Sequence, residues 1–122
     1  MHESLAAVWL REGHLRFIVN QSRHCAPNET GGVLMGYTTS KGVVITDVIG
    51  AGPNAKHTRS SYAPDLEFDY REISAIYEES GRMHAYVGDW HMHPPVLFGC
   101  LVKTRLHSRP LLRARRQEPA TR

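Results

Sequence analysis

Cysteine is scarce in this chain. Cys25 and Cys100 are the only two thiols in 122 residues. Two cysteines cannot build a disulfide framework, so the chain reads as one made for a reducing cytoplasm. Long apolar runs are absent too, and none approaches the roughly 20 residues that span a bilayer. The opening Met1-His2-Glu3-Ser4 does not lead from a basic region into a long apolar stretch, so no signal peptide is expected. No internal repeat and no low-complexity linker interrupts the sequence. Acidic residues nearly vanish towards the end: after residue 95 Glu118 stands alone against seven Lys/Arg, whereas residues 1–95 carry eight basic and eleven acidic side chains. A basic arm of that kind can bind nucleic acid. Against that reading, the arm has no aromatic stacking residue besides Phe98, and the rest of the chain is net acidic.

What is present is an ordinary globular mixture, with 41% apolar and 22% charged residues, of a length that fits one domain. Leu5 to Trp9 and Leu15 to Val19 are apolar segments too short for their spacing to separate strand from helix. The polar stretch Asn20–His24 follows, punctuated by Ala26-Pro27-Asn28. Val33–Tyr37 reads as a buried strand. Val43–Ile49, with five β-branched apolar residues, reads as a second that pairs with it across the turn Thr38–Gly42. Gly50–Pro64 reads as a loop. Asp65 is placed to cap a helix running to about Ser80, with Leu66, Tyr70, Ile73, Ile76 and Tyr77 on one face, Glu67, Asp69, Arg71 and Glu72 on a solvated one, and Gly81 closing it. His84–His91 reads as a further strand ended by Pro94-Pro95. Trp9, Trp90, Tyr70 and Tyr77 are expected as packing residues. The order predicts an α/β fold, a mixed sheet flanked by helices.

Chemistry concentrates in Gly88-Asp89-Trp90-His91-Met92-His93-Pro94. His91 and His93 are two apart at a strand end, so both rings face one side with backbones about 7 Å apart. Two imidazoles at that spacing can converge on zinc, which takes neutral histidine nitrogen at about 2.0–2.1 Å; an H-x-H arising by chance among eight histidines is the plainer alternative. A second segment, Asn28-Glu29-Thr30-Gly31-Gly32-Val33-Leu34-Met35-Gly36, sets an acid before two glycines and an apolar strand. A carboxylate at a strand mouth can take the proton of an attacking water; the alternative is a surface glutamate before a turn.

Taken together, these segments resemble the JAB/MPN metalloproteases, also called JAMM proteins, in their short prokaryotic form. The carriers are Glu29–Gly36, Gly52-Pro53-Asn54-Ala55-Lys56-His57, Tyr62-Ala63-Pro64-Asp65 and Gly88–Pro94, and the resemblance covers about residues 5–95. It implies a sheet sandwiched by helices, similar to cytidine deaminases, with His91 and His93 as ligands of Zn2+ and Glu29 as general base. It implies hydrolysis of a peptide or isopeptide bond, typically at the C-terminus of a ubiquitin-like or sulfur-carrier protein. A non-catalytic module that only binds such a partner is the alternative.

The family pattern continues after H-x-H-P with seven residues and then S-x-x-D. In this chain those positions are Val102 and Arg105. Valine cannot donate a hydrogen bond, and arginine cannot ligate a cation. The departure begins where the charge balance reverses. Residues 1–95 are therefore read as the JAB/MPN-like part, and residues 96–122 as a basic tail foreign to the family, from a changed reading frame or a diverged, truncated gene. Asp89 shares the face of the two histidines but lies about 13 Å from His93 along an extended strand. Cys100 and His107 are more remote substitutes for the missing ligand, and His57 sits in a loop that the family places near the site.

Overall fold

The computed structural model describes residues 7–93 and, for the backbone, 102–106. The elements in chain order are β1 (Ala7–Trp9), α1 (Glu12–Cys25), β2 (Thr30–Thr39), β3 (Gly42–Ile49), β4 (Lys56–His57), β5 (Tyr62–Ala63), α2 (Leu66–Glu79), β6 (Ala85–Met92) and β7 (Val102–Leu106). Five strands form one sheet in the order β1-β3-β2-β6-β7, parallel between β1 and β3 and antiparallel elsewhere. β4 and β5 form a separate two-stranded ribbon. The fold is α/β, a mixed sheet with a helix on each face.

The ambiguous N-terminal segments resolve into a strand and a helix. α1 runs through the polar stretch Asn20–His24, because Ile18 and Ser22, one turn apart, are both buried beneath it. Its first turn carries Glu12 and its last Arg23 and His24, charges that complement the helix dipole. The β2–β3 hairpin is as expected, though β2 is longer at both ends than Val33–Tyr37.

α2 forms where its periodicity places it. The Asp65 carboxylate accepts a hydrogen bond from the Phe68 amide at 3.2 Å, satisfying one of the donors a helix start leaves open. The other end closes as a Schellman motif: Gly81 lies at φ +70, and the Arg82 and Gly81 amides donate to the Tyr77 and Glu78 carbonyls.

Alternation along the strands divides the core in two. On the α1 side Ile18, Leu34, Val43, Ile45, Val87, Trp90 and Met92 pack together. On the α2 side Val33, Met35 and Ile49 meet Phe68, Ile73, Ile76 and Tyr86. Trp90 is fully buried, and its indole N–H donates to the Ile49 carbonyl at 3.1 Å. Two expected packing residues are not in the core. Trp9 is 46% exposed on the short edge strand, and Tyr70 is 63% exposed beside a cavity under α2. Among the described residues no helix is long and apolar enough to cross a membrane. Cys100, His107 and most of the basic tail lie outside the described residues. The backbone of β7 puts Lys103 at the register position opposite His91, and Arg105 opposite Asp89.

Candidate active site

Pairing between β2 and β6 brings the two sequence segments together. Gly31 is registered with His91 and Thr30 with Met92. One step further along the antiparallel ladder, residue 29 faces residue 93. The Glu29 carboxylate accordingly stands 3.0 Å from Nδ1 of His93, with the Glu29 side chain 12% exposed and that of His93 34%. The His91 ring lies beside the His93 ring, centre to centre 5.9 Å.

The region read as a loop contains the β4–β5 ribbon, and this ribbon clamps Glu29. The Glu29 amide donates to the Thr58 carbonyl at 2.8 Å, and His57 Nδ1 donates to the Glu29 carbonyl at 3.0 Å. A carbonyl only accepts, so His57 carries its proton on Nδ1. His57 therefore holds the backbone of the acid. Tyr62, its partner on β5, packs between the two: its ring is 5.3 Å from that of His57 and meets the edge of His91 at 5.8 Å. Gly31 makes room for it, since a Cβ there would press on the Tyr62 ring and the Trp90 carbonyl.

Two imidazoles on one tetrahedral zinc would have ring centres about 5 Å apart, given metal–nitrogen distances of about 2.0–2.1 Å. The observed 5.9 Å is within a small side-chain adjustment of that, and His93 Nδ1 is turned to Glu29, so of its two ring nitrogens Nε2 is the one not engaged by that contact. The pair therefore fits two positions around a metal. Among the described residues no three His, Cys, Asp or Glu side chains converge into a metal-holding group. Asp89 is engaged elsewhere, accepting a hydrogen bond from the Tyr86 hydroxyl at 3.0 Å.

Residues 11–97 match a family described as prokaryotic homologs of the JAB domain. The chain belongs to this family. A protein of Sinorhizobium fredii named probable metalloprotease y4qB is 40% identical over 88 residues, 71% of this chain and 54% of that protein. An Escherichia coli protein named CD-NTase/cGAS isopeptidase is 24% identical over 87 residues, 71% of this chain and 56% of its own length. The chain thus spans about half the length of the curated relatives it matches.

One buried acid of this JAB domain escapes the sequence reading. Asp69, assigned above to the solvated face of α2, is only 5% exposed and lines a cavity between α2, β2 and β6. Burial, followed by the nearby carboxylates of Asp65 and Asp89, pushes its pKa up to about 6. Tyr62 lines the same cavity, and burial and the Asp69 charge push its phenol well above the usual range, so it stays neutral.

Proposed function

We propose that this chain carries the site of a zinc-dependent peptidase or isopeptidase. In it His91 and His93 hold Zn2+, and Glu29 is the general base. The observation that supports this best is the Glu29 carboxylate 3.0 Å from His93, with His91 alongside. Zinc bound there would polarise the scissile carbonyl and make water a better nucleophile near neutral pH. The chain's own part is positional. The β4–β5 ribbon fixes the backbone of Glu29 on both sides, so its carboxylate is held where it can accept a proton from water and return it to the leaving amine. The substrate class is the C-terminal segment of a ubiquitin-like or sulfur-carrier protein. A relative named as an isopeptidase supports a protein substrate. The cytoplasm is the proposed compartment.

A specific observation favours a second reading, a non-catalytic module that binds such a protein. Val102 and Arg105 stand where the family has a hydrogen-bond donor and a third ligand, and two imidazoles hold zinc weakly. One experiment separates the two. Protein equilibrated with zinc is assayed for metal content and for release of a fluorophore from the C-terminus of a ubiquitin-like protein. The catalytic reading expects zinc lost in His91→Ala and His93→Ala, and turnover but not zinc lost in Glu29→Gln. Equal zinc in all four proteins with no turnover overturns it, and binding of the intact ubiquitin-like protein under those conditions establishes the module.

A further inference from the structure

The cavity beneath α2, about 570 Å³ in volume, has His91 in its wall but neither Glu29 nor His93. Its walls are mainly apolar and aromatic, with Tyr70, Tyr86, Leu66 and Ile73 among them. Asp69 and Tyr62 are in its wall, and Asp69 Oδ1 and the Tyr62 hydroxyl are buried there without a hydrogen-bond partner among the described residues. A buried carboxylate oxygen left unpaired is costly, and a donor that reaches it gains accordingly. Among the described residues no lysine or arginine lines the cavity. Asp89 adds a further acid at its wall and is already engaged with Tyr86, so recognition falls to Asp69.

We propose that this cavity is a specificity pocket for a lysine or arginine side chain of the substrate, with the aliphatic stem against Tyr70 and Ile73 and the cationic head on Asp69 and the Tyr62 hydroxyl. The chemistry of the walls selects this occupant. Aromatic faces attract a cation, apolar side chains cover its methylene stem, and a carboxylate meets its charge. A neutral apolar side chain would fill the same space but leave Asp69 unpaired. An acidic one would add a like charge. Because the pocket borders His91, the residue it holds lies close to the bond cleaved under the proposed function. This assignment rests on that function for its role in hydrolysis, but not for the binding itself.

The test therefore uses metal-free protein and no turnover. Nα-acetyl-lysine methylamide and its uncharged isostere, Nα-acetyl-norleucine methylamide, are titrated separately while the backbone amide resonances of Gly32, Val33, Asp69 and Ile73 are followed. The lysine compound is expected to shift these resonances saturably, with an affinity about tenfold above that of the norleucine compound, as one charge-assisted hydrogen bond provides. Asp69→Asn should abolish the preference. Tyr70→Ala, at an exposed position that folding tolerates, should weaken the lysine compound more than the norleucine compound. Equal or tighter binding of norleucine, or lysine shifts confined to other resonances, overturns the pocket. So does a preference that survives Asp69→Asn. Failure of hydrolysis with the lysine preference intact would overturn only the proposed reaction.

Discussion

The two faces of the central sheet are built differently. Against α1 the sheet is closed: Ile18, Leu34, Trp90 and Met92 are all 1% exposed or less. Against α2 it is closed where Phe68, Ile73 and Ile76 reach Val33, Met35 and Ile49. Along Leu66, Asp69, Tyr70 and Ile73 it leaves the cavity, a buried carboxyl, and a rim where Leu66 and Tyr70 are 55% and 63% exposed. The same strand serves both. Val87, Trp90 and Met92 of β6 pack towards α1, while Tyr86, Asp89 and His91 line the cavity. One face supplies the stability against which the other can keep a cavity with an acid in its wall.

The contrast breaks most visibly at Trp90. Trp90→Ala removes the largest fully buried side chain and its hydrogen bond to the Ile49 carbonyl. It should destabilise by about 3–5 kcal/mol, read as a lowered urea midpoint with little change in slope. A loss of under about 1 kcal/mol would mean that the α1 face is no tighter than the other.

The second prediction has the opposite sign. Asp69 has its folded pKa raised to about 6 from 3.8, so the folded chain holds its proton where the unfolded chain has released it. The carboxyl is harmless to the fold at pH 3, and its penalty grows as pH rises through about 4 to 6. The groups that face or surround it are Asp65 on its own helix start, Asp89, Tyr86 and His91 on β6, and Tyr62 on β5. Asp69→Asn should therefore stabilise the protein at pH 8, on the order of 1–3 kcal/mol, and make no difference at pH 3. Thermal unfolding of both proteins across that range checks it. Loss of stability in the variant at pH 8 would show that Asp69 is a structural anchor. A gain in stability joined to a loss of lysine preference is the signature of a residue kept for binding.

These outcomes bear on how much of the molecule could be read from its residues. The β2–β3 hairpin, the Asp65 cap and the Gly81 closure are local, set by turn chemistry and β-branched runs, and all three were legible. α1 was legible only in part, because Asn20–His24 looks polar until Ser22 is placed one turn after Ile18. The pairing of the acid with the second histidine follows from strand register, which single segments do not carry. The β4–β5 ribbon is two residues long on each side, below what any periodicity can signal. Asp69 did leave a trace. It falls in line with Leu66, Ile73 and Ile76 at spacings of three and four, the stripe that packs inward, and its charge alone argued for the surface. A carboxylate in an apolar stripe is the kind of local conflict that marks a functional position.

The smallest expected effect is the sharpest for the comparison. Tyr70 stands exposed at the rim of the cavity. If the open part of the α2 face exists for a ligand, Tyr70→Ala should leave stability within about 0.5 kcal/mol, as surface substitutions do. The same substitution should still weaken the lysine compound, because one aromatic face beside a desolvated cation is gone. A destabilisation like that of a core aromatic would place Tyr70 in the packing after all. The two faces of the sheet would then differ in degree rather than in purpose.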